Sequence, residues 1–175
     1  MQGAAEDSGA SARRAARING TAPKDEGRYM ADHMDEQTMN FWQHHSLHYL
    51  EMALRSDRRE RLTHPDGYGK KTGDCGDTIE FFLMTDNGTL SSIAMETDGC
   101  VDTVACANTV AELAEGKNLE DAWEIVTPDA VAAYLETLAP SKVHCAELAV
   151  GAFYLALANA GEMERNPGKK CHPAQ

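Results

Sequence analysis

Two apolar runs joined by an Asn-Gly pair constrain the fold of this chain more than any other feature of its sequence. Residues 78–85 and 90–97 combine large apolar side chains with Thr, Ser and Glu, and Asp86-Asn87-Gly88 lies between them. Asn and Gly tolerate the positive φ angles of the tight turn whose twist matches two antiparallel strands. The sequence therefore predicts an antiparallel β-hairpin.

Helical patterns precede and follow this hairpin. Residues 32–62 contain neither Gly nor Pro and place apolar side chains at helical spacing, which predicts one long amphipathic helix. After the hairpin, start and stop signals predict four further helices. These are a helix ending near Glu115, a short helix after Asn118, a helix capped by Thr127 with Pro128 in its first turn, and a last helix over about residues 141–161.

This order of elements indicates an α+β fold, a small antiparallel sheet covered on one face by helices, with an N-terminal helical extension. Glycines crowd residues 65–76, which predicts a flexible connector before the first strand. We divide the chain into four parts: a disordered N-terminal segment (1–28), the helical extension (29–64), a main domain (65–162) and a C-terminal tail (163–175).

Charge, hydropathy and cysteine content exclude several classes of function. The net charge of -12 repels a phosphate backbone, so we expect no nucleic-acid partner. The most apolar stretch, residues 143–160, is interrupted by Glu147, and we expect neither a signal peptide nor a membrane span. Five cysteines, none of them in the first 74 residues, do not fit a disulfide framework. They predict free or metal-bound thiols in a reducing cytoplasm.

Three of the cysteines lie at the predicted ends of elements. Cys75 lies in the Gly-rich loop, Cys100 lies between the hairpin and the next helix, and Cys145 lies in the first turn of the last helix. Asp77 and His144 add harder ligands beside them. An iron-sulfur cluster usually takes four thiolates, so a site with three thiolates and one harder ligand would bind a cluster and also release it.

Two of these thiols, those of Cys100 and Cys145, lie near predicted helix N-termini, where the helix dipole favours a thiolate. Lys142, three residues before Cys145, adds a positive charge. The spacing of the three cysteines matches no compact C-x-x-C motif, so the spacing alone leaves a metal site and incidental thiols equally open.

The remaining cysteines and the histidine cluster have simpler explanations. Cys106 is expected to be a small buried hydrophobe, and Cys171 an exposed residue of the tail. A polar helix face explains His44, His45 and His48, although a pair four residues apart also suits a metal.

Three motifs together resemble the NifU N-terminal/IscU family of iron-sulfur cluster assembly scaffolds. They are Cys75-Gly76-Asp77, Gly99-Cys100 at a strand-to-helix turn, and Lys142-Val143-His144-Cys145 opening a long helix. The resemblance covers about residues 65–161. It implies a scaffold, not an enzyme, that receives persulfide sulfur from a cysteine desulfurase together with ferrous iron. Such a scaffold builds a transient [2Fe-2S] cluster and passes it to acceptor proteins.

The resemblance also implies residue roles. Cys75, Cys100 and Cys145 would be cluster ligands and persulfide acceptors, with Cys145 the primary sulfur acceptor. Asp77 would bind metal and favour cluster release, and His144 would be an auxiliary ligand. Zinc in place of the cluster would suit the same mixed sulfur, nitrogen and oxygen donors.

The sequence departs from the family in ways that bear on its partners. The stretch that an Hsp70-type chaperone recognises in bacterial relatives is Leu-Ala-Pro-Ser-Lys here, at residues 138–142, which leaves that partner open. The alternative function is a zinc-dependent, persulfide-relaying sulfurtransferase of the SufU type. The segment between Cys100 and Cys145 has no long insertion of the kind that marks the SufU branch, which favours the scaffold.

Overall fold

The computed structural model describes residues 36–166 and residue 171. The predicted disordered segment, residues 1–28, lies outside the described residues, as do residues 29–35 of the predicted extension and most of the tail. Internal contacts separate the chain at residue 36, and residues 37–175 form the second unit. The elements below belong to the second unit, apart from the first residue of the first helix.

The secondary structure follows the predicted α+β order. Along the chain the elements are α1 (Glu36–His44), α2 (Leu47–Leu54), β1 (Gly67–Thr72), β2 (Thr78–Asp86), β3 (Thr89–Asp98), α3 (Val101–Ala114), α4 (Leu119–Ile125), α5 (Pro128–Leu135), a 3-10 turn (Pro140–Lys142) and α6 (Val143–Arg165). The strands form one antiparallel sheet in the order β1-β2-β3.

The predicted hairpin is confirmed as β2 and β3. Asn87 and Gly88 at its turn have φ angles of 52° and 77°. Both angles are positive, as a tight turn between twisted strands requires. At the open end of the hairpin Thr78 pairs with Asp98. The residues that precede β2 and follow β3 are therefore neighbours in space.

The prediction of a flexible connector is wrong, because residues 67–72 form the edge strand β1. Its glycines allow the backbone of α6 to lie directly on the strand. A Cβ atom added at Gly67 would lie 2.6 Å from the carbonyl oxygen of Ala156, and one added at Gly69 would overlap the backbone of Ala152 and Ala156. Glycine here serves close packing of a helix on a strand.

The prediction of one long helix over residues 32–62 is also wrong. Ser46 has an extended backbone and its hydroxyl accepts a hydrogen bond from the amide of Tyr49, so a new helix starts there. The same hydroxyl donates to the carbonyl of Leu135, 2.6 Å away. This bond joins the start of α2 to the end of α5, across 89 residues of sequence. The spacing of apolar residues within 32–62 carries no information about such a distant contact.

The helices after the hairpin are confirmed, including the caps at Asn118 and Thr127. The last helix starts at Val143 and continues to Arg165, past the predicted end at Gly161, because Gly161 keeps a helical backbone. Within the described residues, the segment Pro140–Arg165 is long and apolar enough to cross a membrane by composition, but 56% of its most apolar window is buried inside the protein. Here it is the central core helix.

The core lies between one face of the sheet and the helices. Phe81 of β2 meets Phe153 of α6 edge to face at a centroid distance of 5.6 Å. From α2, Tyr49 and Met52 join the same core and are each 1% exposed. Side chains alternate along a strand, so Glu80 and Phe82 occupy the opposite face, where Glu80 binds Lys70, Tyr68 and Arg61.

We predict that Gly69→Ala destabilises the protein by about 3 kcal/mol, because the added methyl group pushes α6 away from β1. Gly161→Ala is the matched control. Its Cβ would lie 4.0 Å from the nearest atom, a nitrogen of Arg165. The free energy of unfolding of this variant should therefore lie within about 1 kcal/mol of the wild-type value or above it, because alanine favours a helix more than glycine does. Urea unfolding of both variants measures the difference, and equal midpoints would contradict the packing role of Gly69.

Candidate metal centre

The three chain segments that carry the predicted ligands meet at one end of the sheet. Cys75 lies in the turn between β1 and β2, and Asp77 immediately precedes β2. Cys100 is the N-cap of α3 directly after β3, and Cys145 lies in the first turn of α6. The pairing of β2 with β3 and the packing of α6 on the sheet bring these segments together.

Three ligand atoms converge closely. A carboxylate oxygen of Asp77 and the sulfur atoms of Cys100 and Cys145 all lie within 4.8 Å of one another. Two sulfurs on one zinc ion, each about 2.3 Å from it, lie roughly 4 Å apart, so the trio needs little adjustment to hold a common ion. Its mixture of two soft donors and one hard donor suits zinc or iron.

The other two predicted site residues lie at the edge of this trio. Cys75 is exposed two residues before Asp77, and its thiol makes the smallest contribution to the lowered pKa of that carboxyl. His144 is also exposed, and its Nε2 lies 3.5 Å from the sulfur of Cys145. The structure therefore brings all five predicted residues to one place, with three ligand atoms clustered inside and two groups on the rim.

Asp77 is held by hydrogen bonds from the start of α3. Its Oδ2 accepts one from the hydroxyl of Thr103 and another, of 3.1 Å, from the backbone N–H of Cys100. The hydroxyl bond first and the amide bond second hold the pKa of Asp77 below its ordinary value. A Cβ at Gly99 would lie 2.7 Å from the carboxyl carbon of Asp77, so only glycine fits there.

Thr103 was not among the residues predicted from the sequence. Its position three residues after the N-cap Cys100 is the available signal, because side chains three apart on a helix lie on one face. A threonine in that place also has ordinary structural explanations, so the sequence alone did not single it out.

Burial opposes the thiolate that the sequence suggested at Cys145. The residue is fully buried, and burial raises the pKa of its thiol to about 11. Lys142 does not offset this effect. It lies in the 3-10 turn ahead of α6, and its ammonium lies 3.3 Å from Asp102 and 4.0 Å from the sulfur of Cys100. The positive charge therefore acts beside Cys100.

Among the other cysteines and the histidines, the structure agrees with the expectation for Cys106 and differs from the expectation for Cys171. Cys106 is fully buried as expected, and burial raises the pKa of its thiol. His45 stacks on Tyr49, and His48 pairs with Glu136 at 3.3 Å, so both rings have partners within the protein. Cys171 is half-buried, not exposed, with its sulfur 3.1 Å from the side-chain oxygen of Asn159.

Comparison with known proteins agrees with this arrangement. Residues 63–165 match the family described as the NifU-like N terminal domain, and the chain belongs to that family. It is similar to the iron-sulfur cluster assembly scaffold protein IscU 1 of Archaeoglobus fulgidus, with 35% identity over 83 residues, covering 47% of this chain and 54% of that protein. The matching segment thus spans about half the length of that curated relative.

A second relative is the iron-sulfur cluster assembly scaffold protein IscU of Escherichia coli (strain K12), 35% identical over 86 residues, covering 49% of this chain and 66% of that protein. Among solved structures, the putative SUF-system scaffold protein of Fervidobacterium islandicum AW-1 superposes with a TM-score of 0.56 at 16% identity, covering 64% of this chain and 95% of that one. The N-terminal NifU-like protein of Brucella abortus gives 0.55 at 21% identity, covering 67% and 94%. These two likenesses establish the fold.

We predict that Thr103→Val raises the pKa of Asp77 toward the ordinary aspartate value of about 3.9, because the carboxylate loses its strongest donor. A depressed carboxyl pKa adds stability above about pH 4, and that gain is lost as the pH falls through the folded-state pKa. The stability difference between wild type and variant should therefore shrink in acid.

Carboxyl carbon NMR titration of the metal-free protein measures this pKa, and chemical unfolding at several pH values measures the stability. The control is Thr109→Val, because the Thr109 hydroxyl is also buried but donates to the carbonyl of Ala105 within α3. An unchanged Asp77 titration in Thr103→Val would contradict the hydrogen-bond assignment.

Proposed function

We propose that this protein is a non-enzymatic scaffold for iron-sulfur cluster assembly. It receives sulfur and ferrous iron, builds a transient [2Fe-2S] cluster and passes the cluster on. The observation that carries the proposal is the convergence of the Asp77 carboxylate with the sulfurs of Cys100 and Cys145, beside the exposed thiol of Cys75. Membership of the NifU-like N terminal domain family and similarity to named IscU scaffolds support it.

The cluster is the cargo of this site, and its proposed ligands are Cys75, Cys100 and Cys145 with Asp77. A carboxylate holds iron less firmly than a thiolate does, so this fourth ligand favours release. His144 lies close enough to Cys145 to replace one ligand during loading. Zinc is proposed to occupy the same donors when iron and sulfide are scarce.

Sulfur delivery adds a geometric requirement. We propose Cys145 as the primary persulfide acceptor, and the proposed donor is a cysteine desulfurase. Because Cys145 is fully buried, the side chains that cover its sulfur, which include His144 at 3.5 Å, must move before a donor sulfur reaches it. The proposed recipients are iron-sulfur acceptor proteins, and the proposed compartment is the reducing cytoplasm. An Hsp70-type chaperone stays an open partner.

Anaerobic reconstitution of the full chain with ferrous iron, cysteine, a desulfurase and a thiol reductant, which supplies the electrons that convert persulfide sulfur to sulfide, tests the proposal. We predict a visible [2Fe-2S] chromophore with stoichiometric iron and sulfide, and its loss or alteration in Cys75→Ser, Cys100→Ser and Cys145→Ser. Cys171→Ser is the matched control and should behave as wild type, because Cys171 bonds to Asn159 away from the site.

Three unchanged chromophores in the site variants would refute the ligand assignment. Tight zinc binding without any chromophore, together with strong stimulation of the desulfurase, would instead identify the zinc-dependent persulfide relay. Metal analysis and the absorption spectrum recorded on one sample separate these outcomes.

We also predict that Asp77→Ala lengthens the lifetime of the assembled cluster, because the site loses its hard and exchangeable ligand. The measurement is the decay of the chromophore after an apo-ferredoxin acceptor is added, compared with decay in buffer alone. A decay as fast as that of the wild type, at equal initial loading, would show that Asp77 does not govern release.

A further inference from the structure

A chain of polar contacts runs from the N-terminal helix α2 into the site. The hydroxyl of Tyr49 donates to Oδ1 of Asp102 at 2.6 Å. The other carboxylate oxygen of Asp102 lies 3.3 Å from Nζ of Lys142 and 3.8 Å from the sulfur of Cys100, and the ammonium lies 4.0 Å from that sulfur. The ammonium therefore offsets a carboxylate charge that would otherwise repel an anion beside Cys100. Tyr49 lies in α2, ahead of residues 63–165, the segment that the family description matches.

The hydroxyl of Tyr49 is a fixed donor. Its ring is 1% exposed and stacks on His45 at a centroid distance of 4.0 Å. Burial first, and the bond to Asp102 second, raise the pKa of Tyr49, so the hydroxyl stays protonated. The helix that carries it is anchored as well, because the side-chain amide of Asn108 donates to the carbonyl of Met52 at 2.8 Å.

Lys142, by contrast, is held mainly by Asp102: within residues 36–166, the recorded partners of its ammonium are that carboxylate and the sulfur of Cys100. The lysine side chain is 39% exposed, whereas that of Asp102 is 13% exposed. A free lysine would extend into water, where its ammonium is better hydrated and its rotamers are unrestricted. The position of the positive charge beside Cys100 therefore depends on how Asp102 is oriented, and the bond from Tyr49 sets that orientation.

We propose that Tyr49 is a positioning residue that, through Asp102, holds the ammonium of Lys142 beside Cys100 to attract anionic sulfur to that thiol. The inference rests on the proposed function, in which Cys100 is a ligand of a [2Fe-2S] cluster, whose bridging sulfur atoms are sulfide anions. It assigns the N-terminal helix a role in the electrostatics of the centre. Tyr49 itself touches none of the proposed ligands.

The test compares two alkylating reagents on the metal-free, reduced full chain, with mass spectrometry reporting the modification rate at Cys100. Iodoacetate is an anion and iodoacetamide is neutral, and the same thiolate attacks the CH2 carbon of either reagent and displaces iodide. The ratio of their rates is therefore independent of how much thiolate is present and reports the local charge. Dividing this ratio by its value in Lys142→Gln gives the contribution of Lys142, here called the Lys142 factor.

We expect a Lys142 factor of roughly threefold in the wild type, since one positive charge about 4 Å away attracts an anion. In Tyr49→Phe the ring remains but the hydroxyl is lost, and the factor should fall close to one. Asp102→Asn should lower the Lys142 factor in the same way. Its rate ratio is divided by that of the double variant Asp102→Asn/Lys142→Gln, so the effect of the lost aspartate charge cancels.

Tyr68→Phe is the matched control. Tyr68 also donates its hydroxyl to a mostly buried carboxylate, that of Glu80 at 2.8 Å, but on the opposite face of the sheet. Its Lys142 factor should equal that of the wild type. The proposal would be overturned if the Lys142 factor in Tyr49→Phe equalled the wild-type value, or if the factor fell as far in Tyr68→Phe as in Tyr49→Phe. If Tyr49→Phe fails to fold, Tyr49→Met, which fills similar space without a hydroxyl, takes its place.

This measurement uses no metal, sulfide or desulfurase, so its failure and that of the proposed function are distinguishable. Absence of a chromophore on reconstitution would refute the scaffold while leaving the Lys142 factor as it stands. A chromophore together with a Lys142 factor unaffected by Tyr49→Phe would retain the scaffold and refute the role of Tyr49.

Discussion

The carboxylate of Asp77 joins two elements on which the rest of the site depends. It accepts hydrogen bonds from the hydroxyl of Thr103 and from the backbone amide of Cys100, so the residue before β2 is tied to the first turn of α3. The side chain is anchored at this position before any metal arrives. The same bonds lower the pKa of Asp77 further below the physiological pH range, where its carboxylate is an ionised oxygen ligand.

The position of the third ligand, Cys145, depends on close packing between α6 and the edge strand β1. The glycines at 67 and 69 let α6 lie against β1, and the first turn of the same helix brings Cys145 to Cys100 and Asp77. Full burial of Cys145 raises its thiol pKa, whereas Cys75 stays exposed on the rim. The site thus has a buried and an open thiol, an asymmetry that suits a cargo that must both arrive and leave.

The N-terminal helix α2 is part of the same core, although the family match begins only at residue 63. Tyr49 and Met52 are buried, and Asn108 of α3 bonds to the backbone of α2. Consequently α2 contacts α3, the helix whose N-cap is Cys100. Its periodicity suggested an amphipathic helix, but nothing local showed that Tyr49 bonds to Asp102, since that contact spans 53 residues of sequence.

The sequence by itself determined the features that short-range chemistry controls. Asn87-Gly88 specified the hairpin turn, Thr127 and Pro128 specified the start of a helix, and the cysteine motifs specified which residues carry the donors. Only the tertiary structure decided that residues 67–72 form a strand, because glycine has low strand propensity and becomes favourable there only when a helix backbone lies on it. The tertiary structure also decided that the ammonium of Lys142 lies beside Cys100, because the salt bridge that positions this lysine is formed with Asp102 on a different helix.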